Sequence, residues 1–248
     1  MESIWKEYFE VKSYSVDFQQ QLKPSALMQF FQEVATNHAA SLGAGYDPLM
    51  EKGLFWALSR LKVEITRMPQ IDEKICIETW PCGYEGLFFR RDFIIYDQEQ
   101  NVLIRGISAW LLLAVNTLRP QRPNVLTINI PTNEGKRALA DFPDRLLTQT
   151  VRTAYFKTVG YNEIDLNLHV NNTRYVDWAT DCFLLDQYQN FNLIGFALEF
   201  LAETHWGDEI EMRLGDESVC VDIEAVDRTS QIALFKAQLK WEPKVAQE

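Results

Sequence analysis

The chain has 248 residues, 47% of them apolar and 24% charged, a composition ordinary for a soluble globular protein with a substantial core. Its formal net charge of −11 argues against nucleic acid as a partner, because phosphate binding needs a basic surface. No apolar run is long enough to span a membrane, and the N-terminus lacks the apolar centre of a signal peptide, so we expect a cytoplasmic protein.

The first half predicts an extended stretch, one long helix and four strands. The opening stretch, "YFEVKSYSV", has an extended pattern. Apolar residues then recur at helical spacing over residues 24–42, where Pro24 suits the helix start and Gly43 its end. Four runs rich in β-branched and aromatic residues follow, and turn chemistry separates them: "FWALSRLKVEI", "KICIETW", "LFFRRDFIIYD" and "NVLIRGISAWLLLAV".

Residues 116–150 contain four prolines, a density that interrupts both helix and sheet. This segment is too long and too sparingly polar for a simple flexible linker. We therefore expect a connector that packs across the domains.

The second half repeats the order of the first. Extended "YFKTVGY" precedes a helix predicted from Asn172 to Tyr188, and the strand-like runs "NLIGFALEFLA", "DEIEMRLG", "SVCVDIEAVD" and "SQIALFKAQLKW" follow. Asp17 and Asp165 lie 148 positions apart, and other aspartates match at smaller offsets, as shorter loops would produce. The sequence thus predicts two α+β units, each with a helix and an antiparallel sheet.

The stretch "DLNLHVNNTRYVDW" carries the candidate chemistry. In an extended segment Asp165, Asn167 and His169 would face the same way. Asn171 or Asn172 would cap the next helix, whose first backbone N–H groups could bind an oxyanion. Acyl transfer uses such a set of parts, although a polar loop that merely caps a helix has the same pattern.

A comparison of the two copies bears on this choice, and the histidines and cysteines bear on other kinds of site. At the matching positions the first copy has Asp17, Gln19 and Gln21 and no histidine, which favours a site in one copy only. A metal site is not predicted, since no H-E-x-x-H pattern occurs and His38 and His205 are both interpreted as structural. The four separated cysteines form no C-x-x-C pair and indicate reduced thiols: Cys76, Cys82, Cys182 and Cys220.

Four segments together carry a resemblance to a known family. They resemble signature segments of the acyl-acyl-carrier-protein (acyl-ACP) thioesterases and occur in the family's order along the chain: "ETWPCGYEGLFFRRDFIIYD", "ISAWLLL", "DLNLHVNNTRYVDW" and "LEFLAETHWGD". The resemblance implies two tandem hotdog domains, at residues 1–115 and 151–248, joined by the connector 116–150. With no plastid-type transit peptide, a bacterial member is expected.

The resemblance also implies the site and the reaction. The family's functional residues fall on Asp165, Asn167, His169 and Glu203, and the reaction would be hydrolysis of fatty acyl-ACP without a cofactor. The family's neighbouring cysteine is Thr204 here, which argues against a Cys–His mechanism. An acyl-coenzyme A thioesterase and a non-catalytic acyl-binding protein are the alternatives.

Substrate contacts are expected mainly in the first domain. By resemblance, an acyl tunnel lies among helix 24–42 and the strands around Trp56 and Trp80. The acidic carrier protein would meet basic residues near the tunnel mouth. Candidates are the basic clusters Arg90-Arg91, Arg119 with Arg122, and Lys136-Arg137, each of which is also explained as a solvated face. A tandem pair could supply in one chain what single hotdog units obtain by dimerising.

Overall fold

The computed structural model describes residues 3–133, 135–216 and 219–244, and the chain divides into two compact units, Met1–Pro143 and Asp144–Glu248. The first unit contains β1 (Trp5–Glu10), α1 (Pro24–Ser41), α2 (Tyr46–Met50), β2 (Leu54–Ile65), β3 (Lys74–Glu85), β4 (Phe88–Tyr96) and β5 (Val102–Ala114). The second contains β6 (Arg152–Thr158), α3 (Asn172–Thr180), α4 (Leu185–Asn190), β7 (Phe191–Phe200), β8 (Glu209–Leu214), β9 (Cys220–Asp227) and β10 (Ala233–Pro243). The α+β class expected from the sequence is confirmed.

The two units share one strand order. The antiparallel strands of the first unit follow the order β1-β3-β4-β5-β2, and those of the second follow β6-β8-β9-β10-β7. The turns at equivalent places also share a feature, an aspartate whose carboxylate accepts a backbone N–H. Asp97 accepts that of Asn101 between β4 and β5, and Asp227 accepts that of Ser230 between β9 and β10. The predicted internal repeat is therefore present as a shared topology.

Helix α1 packs closely on the strands of the first unit. It begins with Pro24 and is followed by Gly43, whose φ of 77° an L side chain rarely adopts. The Phe31 ring stacks on Phe93 with centroids 4.3 Å apart, and a Cβ on Gly106 would lie 2.7 Å from the Phe31 ring. Gly106 thus allows the close approach of helix and sheet. His38, on the same helix, is fully buried, as predicted for a core position.

The helix of the second unit is shorter than predicted. Instead of running to Tyr188, α3 ends at Thr180, and α4 begins after a turn. The Thr180 hydroxyl donates to the carbonyls of Val176 and Asp177, and Tyr155 donates to the carbonyl of Trp178. Because side chains satisfy these carbonyls, the helix can end without a further turn. The opening extended stretch is likewise divided, since β1 ends at Glu10 and a 3₁₀ turn follows.

The proline-rich segment is held by side chains of the sheets. In the first unit, Asp92 accepts the N–H of Ala138 at 2.7 Å. In the second unit, Glu199 accepts the N–H of Leu146 at 2.9 Å. At these two positions buried carboxylates therefore take the place of backbone acceptors. Residues 116–150 form no strand or α-helix among the described residues.

The Arg90-Arg91 cluster is not a solvated face. Arg90 is 9% exposed and its guanidinium pairs with Asp92 at 2.8 Å. The Arg91 guanidinium lies 3.1 Å from Nδ1 of His38, and burial lowers the pKa of Arg91 to about 10. Arg90 is therefore buried and Arg91 is half-buried with its guanidinium turned toward His38, so the pair is a poor candidate for carrier-protein contact.

Candidate active site

Asp165 to His169 form a tight turn rather than the extended segment expected. The Asp165 N–H donates to the carbonyl of His169 at 2.8 Å, and Leu168 has a φ of 63°. The Asp165 carboxylate accepts the N–H of Asn167 at 2.8 Å and that of His169 at 3.4 Å. An aspartate that binds the backbone two residues on favours a turn over an extended strand.

The first unit has the same turn. The Asp17 carboxylate accepts the N–H groups of Gln19 and Gln21 at 2.8 and 3.0 Å, and Gln20 has a φ of 64°. The aspartate thus builds the turn in both units. What distinguishes the second unit is the histidine that the turn presents.

The start of α3 adjoins this turn. The Asn171 side chain accepts the N–H and the hydroxyl of Thr173 at 3.0 and 2.9 Å, so Asn171 is the cap of the two asparagines considered. The N–H of Arg174 donates to the Asn171 carbonyl. Within the part of the chain that the structure describes, the Asn172 N–H makes no hydrogen bond, as is usual for the first residue of a helix.

Glu203 lies beside His169. The Oε2 atom of Glu203 is 3.4 Å from Nε2 of His169, and the side chains are 37% and 30% exposed. A backbone hydrogen bond of 2.8 Å from Val170 to Thr204 joins the two segments next to the pair. The structure thus brings together an imidazole and a carboxylate that are 34 residues apart in the sequence. Such a pair can position a water molecule and move its proton.

Thr204 is an internal anchor rather than a reactive group. Its side chain is fully buried, and its hydroxyl accepts a hydrogen bond of 2.8 Å from Tyr175 on α3. Burial raises the pKa of Tyr175 to about 12, so the phenol stays protonated at neutral pH. This contact fixes the segment that carries Glu203 against the helix that follows His169.

Replacing Thr204 with valine is expected to lower the free energy of unfolding by about 1–3 kcal/mol, since the Tyr175 hydroxyl would stay buried without its acceptor. Urea denaturation of both proteins measures the difference. Tyr175→Phe is the matched control, and adding it to Thr204→Val should cost little more. Strictly additive losses would contradict a direct contact.

His205, which the sequence predicts to be structural, lies next to His169. The two rings are perpendicular with centroids 4.9 Å apart. One ligand atom each from His169, Glu203 and His205 lies within 4.8 Å of the others. The available signal was the spacing of Glu203 and His205, which are two positions apart and so share one side of an extended segment.

The four thiols are poor nucleophiles. All are free, and three are buried. Burial raises the pKa of Cys182 to about 12 and that of Cys82 to about 11, and it raises the pKa values of Cys76 and Cys220 as well. At neutral pH these groups are thiols, whereas a nucleophilic cysteine must be a thiolate.

We therefore expect the replacement of all four cysteines by alanine or serine to preserve most of the thioester hydrolysis that the family resemblance implies. The measurement is kcat/KM on an acyl-ACP substrate, with the folded fraction checked by thermal denaturation. A folded but inactive quadruple variant would instead support a thiol mechanism.

Comparison with known proteins identifies the family to which the chain belongs. Residues 2–125 match the model of the acyl-ACP thioesterase N-terminal domain, and residues 148–243 match that of the acyl-ACP thioesterase C-terminal domain. An acyl-ACP thioesterase structure from Bacteroides thetaiotaomicron has a TM-score of 0.90 at 26% identity, covering 97% of this chain and 98% of that one. The structure of a 12:0-ACP thioesterase from Umbellularia californica has a TM-score of 0.80 at 21% identity, covering 98% and 99%, and shows the shared fold.

Curated relatives include a chloroplastic acyl-[acyl-carrier-protein] hydrolase of Cuphea viscosissima, 27% identical over 98% of this chain and 63% of its own length. A chloroplastic oleoyl-acyl carrier protein thioesterase of Coriandrum sativum is 27% identical over 84% of this chain and 61% of its own length. The chain thus spans about six tenths of these relatives. No described helix has both the length and the hydropathy needed to cross a membrane.

The chain is thus an α+β protein with one strand order repeated in two units, and its second unit carries a histidine–carboxylate pair beside a helix start. With both domain models matched in order along nearly its whole length, the chain belongs to the acyl-ACP thioesterase family.

Proposed function

We propose that this protein hydrolyses the thioester between a fatty acyl chain and acyl carrier protein, releasing the fatty acid and the carrier thiol. The observation that carries the proposal is the 3.4 Å approach of Glu203 to His169 within a chain of this family. Hydrolysis of a thioester needs a water molecule, a group that takes its proton and a donor for the oxyanion. The residues around this pair offer each of them.

In the proposed reaction, the His169–Glu203 pair holds a water molecule and takes its proton while the oxygen attacks the thioester carbonyl. The Asn172 N–H donates to the oxyanion, and the loss of such a donor typically costs about 3–4 kcal/mol of barrier. The C–S bond then breaks, and the imidazolium returns the proton to the leaving thiolate. Asn167 keeps the reacting groups in register.

A direct attack by Asp165 is the competing route. Oδ1 of Asp165 is already an acceptor for two backbone N–H groups, and Asp17 makes the same two bonds in the first unit. These bonds favour a turn-building role and the water route. A single turnover in ¹⁸O-labelled water tests the choice, because label in the peptide that contains Asp165 would indicate an acyl-aspartyl intermediate. Label confined to the fatty acid agrees with attack by water.

For the domain organisation we propose tandem hotdog domains at residues 1–115 and 151–248 with 116–150 as connector, and the acyl chain in the first domain. Trp80 is fully buried among core residues, whereas Trp56 is partly buried and contacts Phe89 with ring centroids 4.8 Å apart. The Trp56 side of the sheet is therefore the better tunnel wall. Each methylene group buried in the tunnel contributes about 0.8 kcal/mol, so the length of the tunnel would select substrates by the length of their acyl chain.

The carrier protein is the proposed partner, and coenzyme A is the competing carrier. Arg119 and Arg122 are exposed, and Arg122 borders an open surface groove together with Tyr84 and Leu87, so these arginines are the proposed contacts for an acidic carrier. Four free thiols are in keeping with a reducing, cytoplasmic setting.

The experiment that tests the function compares kcat/KM for one acyl chain on the carrier protein and on coenzyme A, over a panel of chain lengths and branching. Faster hydrolysis of acyl-ACP is expected. A preference for acyl-coenzyme A would transfer the proposal to the acyl-coenzyme A thioesterases, and complete stability of both thioesters would indicate an acyl-binding protein.

A further inference from the structure

Two of the three histidines of this chain meet at one place. The His205 ring lies against His169, and Glu203 completes a group of three potential ligand atoms within 4.8 Å of one another. The third histidine, His38, is fully buried in the first unit. The proposed hydrolysis uses His169 and Glu203 but has no task for His205.

The backbone directs Glu203 and His205 to the same side. Between them Thr204 is fully buried and hydrogen bonded to Tyr175, whereas Glu203 and His205 are exposed. The buried Thr204 points into the core, and its two neighbours both contact His169. The anchor at Thr204 therefore fixes the backbone from which both side chains reach His169.

Asp208 adds a supporting contact. Its Oδ2 atom accepts the N–H of His205 at 2.8 Å and lies 3.8 Å from Nδ1 of the same residue. The 3.8 Å approach is too long for a hydrogen bond, and the carboxylate acts on the Nδ1 side of the ring through its charge, which favours a proton on Nδ1 and a lone pair on Nε2. Histidines that bind metal ions commonly have such a carboxylate behind them.

Two imidazoles and one carboxylate suit Zn²⁺, which binds such ligands at about 2.0–2.2 Å and leaves the fourth position of the tetrahedron to solvent. In that geometry the ligand atoms are about 3.3–3.5 Å apart. His169 and Glu203 are already 3.4 Å apart. The His205 side chain is 56% exposed, so there is space for the rotation that would bring its ring nitrogen to the same distance.

We propose that His169, Glu203 and His205 form a binding site for a divalent transition-metal ion, with Zn²⁺ as the best match, and that the bound ion inhibits the enzyme. The ion would occupy the imidazole lone pair and the carboxylate that the reaction needs to take a proton from water. Binding itself is independent of the proposed function, and only the inhibition rests on it.

The test is calorimetric titration of the untagged, metal-free chain with Zn²⁺ alone. We expect one ion per chain for the wild type and affinity at least tenfold weaker for His205→Gln, which lacks the third ligand. Cys220→Ser is the matched control, since Cys220 is the one thiol outside the buried set, and it should bind as the wild type does. Absence of binding, or equal affinity in His205→Gln, would overturn the proposal.

A second measurement tests the inhibition. Without metal, His205→Gln should hydrolyse acyl-ACP with unchanged kcat/KM, and it should resist Zn²⁺ at concentrations that stop the wild type until a chelator is added. Loss of basal activity in the metal-free variant would make His205 part of the reaction and overturn the inhibitory role. If calorimetry shows a His205-dependent site in a chain that hydrolyses no thioester, the proposed function fails while the metal site stands.

Discussion

Replacing His169 with alanine, or Glu203 with glutamine, is expected to lower kcat/KM on acyl-ACP by about a hundred- to ten-thousand-fold, the range that a positioned acid–base group contributes. The reason is that in the proposed reaction the pair takes the proton of the attacking water, and neither substitute can do so. Both side chains are about one-third exposed, so folding should be nearly unaffected. Steady-state kinetics and thermal denaturation of each variant measure the two effects.

The first unit provides the matched control. Gln21 lies at the position corresponding to His169, in a turn with the same hydrogen bonds, so Gln21→Ala should retain wild-type turnover. The double variant His169→Ala with Glu203→Gln should be scarcely slower than either single variant, because the two groups act as one unit. Independent, multiplying losses would contradict a shared role, and a fully active His169→Ala would remove the proposed mechanism.

The largest expected effect on stability comes from Asp92→Asn, which should lower the free energy of unfolding by about 3–5 kcal/mol. Asp92 is fully buried and its carboxylate pairs with Arg90 at 2.8 Å, so the substitution leaves a buried guanidinium without its countercharge. It also weakens the acceptor for the Ala138 N–H, which holds the proline-rich segment on the first sheet. Denaturant unfolding of the wild type and the variant measures the loss.

An exposed ion pair serves as the comparison. Glu209 pairs with Arg228 at 2.9 Å while the side chains are 56% and 45% exposed. Glu209→Gln should therefore lower the free energy of unfolding by less than about 1 kcal/mol. Equal losses of unfolding free energy in Asp92→Asn and Glu209→Gln would contradict the prediction that burial of the Arg90–Asp92 pair makes its disruption more costly.

Local patterns predicted some elements well and others poorly. Helix α1 was predicted almost to its ends, because Pro24, the apolar face and Gly43 all act within the segment itself. The end of α3 was missed, since Thr180 and Tyr155 satisfy its last carbonyls through contacts that no periodicity reveals. The turn at Asp165 was mistaken for an extended segment, although Asp17 repeats the residue type, because alternation of polar and apolar residues is shared by strands and by aspartate-built turns.

The sequence by itself determined the class of fold, the internal repeat and the segments that resemble the family, since hydrophobic spacing, turn residues and motifs are properties of the chain read in order. Only the tertiary structure decided which side chains meet. It paired Arg90 with Asp92 in the interior, and it placed His205 beside His169. Such contacts arise from packing between segments far apart in the chain. The free energy that brings these segments together comes from the whole core and cannot be assigned to any short stretch of sequence.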